Sequence, residues 1–266
     1  MVLECVVNLS EGRRLDVIQV VARAANDDLL DIHVDGDHHR SVLTLVGEGA
    51  ARAVTAAAVL ALDLTGHDGV HPRFGVVDVV PFVPLGRSTM DDARAARDRF
   101  AAWAGDELGV PCFRYGAERT LPRIRAGAFI DFGPDAGPDR PHPTAGAIAV
   151  GARGGLVAYN LWLAEPDLDR ARSIARDLRG PAVRALGLAV GNQVQVSMNL
   201  IDPSTVGPAE VYALVADQAP IRRAELVGLV PRAVLERTDR AWWTRLGLAE
   251  DRTIEARLEA KGRSLD

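Results

Sequence analysis

Lysine is almost missing from this chain of 266 residues: Lys261 stands alone, and arginine carries the rest of the positive charge. Arginine offers a planar, five-donor fork suited to carboxylates, although a GC-rich genome gives the same bias. Excess positive charge is also missing. The formal net charge is −5, which excludes a general basic surface for nucleic acid or an acidic membrane. No run approaches the ~20 apolar residues that a membrane span needs. The opening MVLECVVNLSEGRR has only a short apolar stretch and no basic leader, so no signal peptide is expected and the compartment expected is the cytoplasm. Cysteine is scarce. Cys5 and Cys112 each lie in an apolar, strand-like run without CxxC or Cys/His spacing, which reads as two buried thiols and excludes a disulfide framework or a cysteine-rich zinc site. What is present is the balance of a globular protein, 48% hydrophobic and 25% charged, with length for one large domain or two small ones and for a sizeable core.

Residues 2–8 read as a strand, and Ser10 is placed to cap a helix in which Leu15, Ile18, Val21 and Ala25 recur at helical spacing. Residues 29–34 and 41–46 read as a hairpin opened by Asp35-Gly36, and 49–64 as an alanine-rich helix. A fourth strand spans 76–83, with Pro81 and Pro84 assigning it to a sheet edge. A helix at 90–108 and a strand at 112–115 follow. The proline-rich stretch 131–146 reads as an exposed, semi-rigid connector. Beyond it come a strand at 155–163, a helix at 168–178, a hairpin of 183–190 and 193–201 about Gly191-Asn192, a helix at 209–219 and a strand at 224–230. Pro231 then opens a last helix. The order βαββαβ therefore occurs twice, predicting an α/β (α+β) fold of two split-βαβ subdomains, 1–150 and 151–266.

That topology makes a geometric prediction. Strands one and two run one way and strands three and four run back. The loop after strand one, the hairpin, and the loop entering strand four then share one edge of the sheet. In the first half these are residues 8–12, 35–40 and 66–75.

Four of the six histidines fall in two of those loops. Asp35, Asp37, His38, His39 and Arg40 crowd the hairpin; His67, Asp68, His71, Pro72 and Arg73 crowd the loop before strand four. Histidine changes charge near neutral pH, and a neighbouring carboxylate fixes its tautomer and raises its basicity, as general acid/base work requires. His71 leads because Pro72 stiffens the chain behind it and Gly69 and Gly75 permit an unusual loop path. The bland alternatives are a solvated polar loop and a zinc or iron site, the latter weakened because His67 and His71 share no helix face. His33 reads as a core residue within its strand.

At these same residues the sequence is similar to the formiminotransferase domain of glutamate formiminotransferases. The resemblance is carried by ECVVNLSEGR at 4–13, LLDIHVDGDHHRSVLTLVG at 29–47, HDGVHPRFGVVDVVPFVPL at 67–85, ELGVPCFRYG at 107–116, TLPRIRAG at 120–127, DFGP at 131–134, HPTAGAIAVGARGGLVAYNLWL at 142–163, QVSMNLID at 195–202 and ELVGLVP at 225–231. It runs through nearly the whole chain in order. It implies two subdomains whose sheets face each other, with outer helices and a folate-holding tunnel between them. It implies a catalytic histidine in the His-Pro-Arg motif, which falls on His71, with Asp35 beside it. It also implies folate contacts along 133–146, where Gly133, Pro134, His142, Pro143, Thr144 and Gly146 align. The chain departs from the family at His39, where an asparagine is frequent, along the divergent stretch 135–142, and at Ala145, which stands in place of an aromatic residue. These departures bear on the folate contacts and on substrate preference.

The activity implied is transfer of a formimino group from N-formimino-L-glutamate to tetrahydrofolate, giving 5-formiminotetrahydrofolate and glutamate. Tetrahydrofolate is then a co-substrate, and no metal is expected. His71 would take a proton from the attacking nitrogen and return one to the departing amine, oriented by Asp35. Arg40 and Arg73, with His39, are the expected contacts of the glutamate carboxylates, with structural ion pairing as the other reading of the two arginines. No cyclodeaminase segment follows, so a separate protein would process the product. Other one-carbon donors, a folate-binding protein without catalysis and a metal-dependent hydrolase are the alternatives. Histidine degradation, purine breakdown and secondary metabolism all stay open as routes. A homodimer is expected from the resemblance, with Trp242-Trp243 as an interface or as core.

Overall fold

The structure, a computed structural model, describes residues 1–68 and 73–265; residues 69–72, among them His71 and Pro72, and Asp266 lie outside the described residues. The chain forms two compact units, Met1–Gly154 joined by the terminal Leu265, and Gly155–Ser264.

In the first unit the elements are β1 (Val2–Leu9), α1 (Leu15–Arg23), β2 (Leu29–Asp35), β3 (Arg40–Val46), α2 (Glu48–Ala61), β4 (Val77–Leu85), α3 (Met90–Leu108), β5 (Cys112–Tyr115), α4 (Leu121–Gly127) and β6 (Ile148–Ala152). The second contains β7 (Val157–Leu163), α5 (Leu168–Leu178), β8 (Val183–Val190), β9 (Gln193–Leu200), α6 (Pro208–Ala216), β10 (Ile221–Val227), α7 (Arg232–Glu236) and α8 (Ile254–Glu259). The sheet orders are β2-β3-β1-β4-β6-β5 and β10-β7-β9-β8. Read from the other side, the second is β8-β9-β7-β10, the same order as the first four strands of the first sheet. The twofold βαββαβ reading is therefore what the chain adopts.

Alternation explains β1. Leu3, Cys5, Val7 and Leu9 face a core shared with α1, α2 and α3, while Glu4 and Asn8 take the other face. Helix α3 forms because Ala93, Ala96, Phe100 and Ala104 recur on one side. It starts at a Thr89–Asp92 capping box and stops at Gly109, whose φ of +64° suits a left-handed cap. Each fully buried Leu, Val or Phe of these faces stabilises its unit by roughly 1.5–3 kcal/mol. The second unit has its own core about Tyr159, Leu161, Ile174, Val196 and Val211. No helix among the described residues is long and apolar enough to cross a membrane.

Several expectations shift. Strand β4 is interior, flanked by β1 and β6, not an edge strand. Pro81, which has no N–H to give, fits because the β1–β4 ladder pairs Val2–Leu85 through Cys5–Phe82 and resumes at Asn8–Val79, leaving it without a partner on β1; on its other side it lies opposite Gly151 of β6, and Pro84 lies opposite Leu3. Strand β6 is additional, lying between the expected connector and the strand expected at 155–163, and it pairs in parallel with both β4 and β5. Helix α4, capped by Thr120 with Pro122 in its first turn, is also additional. Helix α2 stops at Ala61 rather than residue 64, and Leu62 is already extended. Ser10 does not cap α1. The helix begins five residues later, and Ser10 Oγ instead donates to the Gly75 carbonyl at 2.7 Å.

Candidate active site

The three loops predicted to share an edge do meet. Ser10 N–H donates to the Val76 carbonyl at 2.8 Å, Arg13 Nε to the Gly36 carbonyl at 3.1 Å, and Arg13 Nη1 pairs with Asp68 at 2.8 Å. Gly12 is what lets the first loop lie against the hairpin: a Cβ there would fall 2.1 Å from the Asp35 carbonyl oxygen and 2.4 Å from the Arg40 nitrogen. The loop before β4 is pinned at its far end by Phe74, whose ring packs edge-on to Phe113 at 5.3 Å.

Asp35 ends β2 and pairs across the hairpin with Arg40. Its Oδ1 accepts the backbone N–H groups of Asp37 and His38, both at 2.9 Å, and its Oδ2 accepts from His38 Nδ1 at 2.5 Å. Burial pushes the carboxyl up, but the hydrogen bonds from the ring and backbone of His38 and from Asp37 outweigh it and hold Asp35 at about 2. His39 sits at φ +52°, and its Nδ1 accepts the Gly12 N–H at 3.1 Å. Glu11 Oε1 lies 3.4 Å from the same nitrogen, but the shorter approach of the Gly12 N–H assigns it the lone pair and puts the hydrogen of the neutral ring on Nε2. The ring stacks on His67 with centroids 4.0 Å apart. Burial, then the neighbouring His67, lowers the His39 pKa.

His67 directs Nε2 at the His39 carbonyl at 3.1 Å. A carbonyl can only accept, so Nε2 carries the hydrogen and Nδ1 is the free lone pair. That atom is buried and has no hydrogen-bond partner among the described residues. Burial lowers the His67 pKa, Arg73 adds to the shift, and Glu11 and Asp68 oppose it. The cleft beside these rings is lined by Leu9, Ser10, His38, His39, Arg40, His67, Arg73 and Asp78. His71, the leading sequence candidate, lies outside the described residues.

Two acidic residues at this edge escaped the sequence reading. Glu11 is 2% exposed and accepts the N–H of Arg13 at 2.8 Å and the Nε of Arg14 at 2.6 Å. Burial raises its pKa, but these bonds bring it down to about 2. Its signal was a carboxylate immediately after a strand that should end at the shared edge. Asp78, 3% exposed, accepts from the Phe74 N–H and from Arg125 Nη2, both at 2.6 Å. It was hidden because a lone aspartate between valines reads as an outward position of a half-exposed strand. Arg40 feels Asp78 and Asp35 as favourable neighbours, and burial pulls its guanidinium below the ordinary value. Arg40 and Arg73 thus converge on one cleft.

The segment expected to touch folate divides. His142 and Gly146 pair their backbones in a tight turn, and His142 Nδ1 accepts the Ala145 N–H at 3.0 Å. That turn is laced to the histidine loop: Leu64 N–H donates to the Thr144 carbonyl at 2.8 Å, and Val76 N–H to the Ala145 carbonyl at 2.9 Å. Gly146, at φ +71°, allows the approach, since a Cβ would meet the Phe74 carbonyl at 2.6 Å. Pro143 is exposed and Thr144 half-buried. Gly133 and Pro134 instead follow Phe132 near the end of β5, and a Cβ on Gly133 would meet nothing within 4 Å. Among the described residues no three His, Cys, Asp or Glu side chains gather as a metal ion requires.

A family model and curated relatives both place the sequence beside formiminotransferases. The family model described as formiminotransferase domain, N-terminal subdomain, matches residues 2–153. A formimidoyltransferase-cyclodeaminase of Sus scrofa is 36% identical over 276 residues, covering 88% of this chain and 51% of that protein. A glutamate formimidoyltransferase of Streptococcus pyogenes serotype M1 is 33% identical, covering 88% of this chain and 90% of the relative. Another from Thermoplasma acidophilum is 34% identical, with 97% of both chains covered. The chain spans about half the length of the bifunctional relative and nearly all of the single-function ones.

Proposed function

The chain belongs to the formiminotransferase family, and from that premise we propose that it is a transferase moving the formimino group of N-formimino-L-glutamate to tetrahydrofolate, releasing glutamate. The names of its near-full-length relatives support the reaction. The observation in the chain itself that carries the reading is the meeting of three loops at one sheet edge, where Arg40, Arg73 and a pair of stacked imidazoles line one cleft. Those groups match a substrate with two carboxylates and a basic nitrogen.

Arg40 and Arg73 hold the carboxylates, since a guanidinium fork binds them bidentately. His71, two residues before the cleft-lining Arg73 in the chain, takes a proton from the accepting amine and gives one to the departing amine, with Asp35 ordering the hairpin. Such a group contributes ~10²–10⁴-fold in rate. Holding two substrates side by side removes the entropy of their encounter and contributes further. Tetrahydrofolate supplies the accepting amine. The open space about Gly133 and the turn at His142, Pro143, Thr144 and Gly146, laced to the histidine loop, are compatible with a flat bicyclic ligand lying beside the cleft. The same reading places the protein in the cytoplasm, acting on small molecules.

The test is an absorbance assay for formimino-folate with purified protein, with and without added cyclodeaminase, offering formiminoglutamate, formylglutamate and other formiminated amines. Product from formiminoglutamate alone is expected. Turnover of a different donor would reassign the substrate. Tight folate binding with no turnover of any donor would make the protein a folate binder.

A further inference from the structure

Three described imidazoles at the sheet edge differ in which nitrogen is taken. His38 gives Nδ1 to Asp35 at 2.5 Å. His39 has its Nδ1 filled by the Gly12 N–H at 3.1 Å. His67 alone uses Nε2 for the protein, donating to the His39 carbonyl, and keeps a buried Nδ1 lone pair that nothing among the described residues satisfies. A buried acceptor without a donor is costly to keep, so a folded chain that keeps one invites a donor from outside. The donor is at hand in the chemistry of this cleft, because His67 lines it together with Arg40 and Arg73. A formimino-bearing amine held there by its carboxylates presents N–H groups.

We propose that His67 is a second proton carrier of the formimino transfer, serving the formimino nitrogen while His71 serves the two amines: Nδ1 takes a proton from the protonated formimino group and returns it to the same nitrogen as the accepting amine adds. The proposal rests on the reaction proposed above. One N–H bond of the formimino group breaks as the Nδ1–H bond forms. The imidazolium then loses that same hydrogen back to the formimino nitrogen, and the ring ends neutral as it began. The surroundings suit a brief stay. Burial and Arg73 disfavour the charged ring, while the His39 carbonyl, Glu11 from the loop after β1 and Asp68 on the same loop favour it. A proton so balanced is taken up and given back. The assignment also explains the stack: His39, fixed by Gly12, is a platform that sets the plane of His67.

The test uses the whole chain and two readouts. His67→Gln keeps an N–H donor for the His39 carbonyl but has no titrating lone pair. We expect kcat to fall by ~10–10²-fold, with KM for formiminoglutamate and the melting temperature nearly unchanged. Nitrogen-15 NMR of the wild-type imidazoles, with His67 assigned by that variant, should show the neutral ring protonated on Nε2 at pH 8. A His67→Gln protein with wild-type kcat overturns the proposal, and so does a neutral ring protonated on Nδ1. Wild-type protein that moves no formimino group overturns the underlying reaction instead, so the two failures are separable.

Discussion

Between β2 and β3 the first unit places residues 36–39; between β8 and β9 the second places only Gly191-Asn192. Before β4 the first unit spends residues 62–76, whereas the matching link before β10 is 217–220. The strand order is common to both, and so is the face that packs on helices. The histidines of this edge, and the buried carboxylates that lock them, occur only where the loops are long. The comparison teaches that this topology builds a meeting point at one sheet edge, and that loop length decides whether anything chemical is put there. A tight two-residue turn satisfies itself and leaves no side chain to spare. A longer loop must find partners for its backbone groups, and here it finds them in Glu11, Asp35, Ser10 and Gly12.

The largest effect expected is catalytic. His71→Ala should lower kcat by ~10²–10⁴-fold in the folate assay while leaving the melting temperature in place. A folded variant with normal transfer would remove the chemical half of the contrast between the units. The hairpins themselves are next. Gly12→Ala drives a methyl into backbone and should destabilise the protein by about 3 kcal/mol or more in urea titration. Gly191→Ala, at φ +58° with open space around it, should cost only about 1 kcal/mol. Equal losses would mean that the first unit's hairpin is packed no more closely against its neighbouring loop than the open turn at Gly191.

Asp35 gives a smaller effect with a pH signature. It titrates at about 2 when folded and near its ordinary value of 3.8 when unfolded, so its contribution is whole above about pH 4 and disappears as pH falls through 2. Asp35→Asn should therefore cost roughly 2 kcal/mol at neutral pH, with the gap to wild type closing on acidification. In the second unit Asp167, which caps α5 by accepting from Arg170 at 2.8 Å, should lose about 1 kcal/mol on change to Ala. The smallest change is His39→Asn. Asparagine tolerates φ +52°, and the loss of the stack with His67 is offset by lower backbone strain, leaving stability within about 1 kcal/mol by thermal melting.

Much of this was legible beforehand. The apolar run at residues 2–8, the helical spacing of Leu15, Ile18, Val21 and Ala25, and the Gly191-Asn192 turn are local signals, and with the other elements read along the chain they identify the repeat. Topology then placed three loops at one edge before any distance was known. The misses were non-local. Strand β6 is short and rich in alanine and glycine, and it becomes a strand only because β4 and β5 both pair with it. The interior place of β4 was masked by Pro81, since sequence shows a missing donor but not a ladder that skips it. Glu11 and Asp78 looked like surface charges because their partners, Arg14 apart, lie in other segments or are backbone groups.

By itself the order of apolar and polar residues determined two βαββαβ units and the concentration of histidine, aspartate and arginine in loops at one edge of the first. Periodicity is a property of neighbours along the chain, and it needs no third dimension to be read. Which imidazole nitrogen is filled and which is left open was decided only in three dimensions. That choice depends on a Gly12 amide and a His39 carbonyl, groups every sequence contains and none distinguishes until the loops come together.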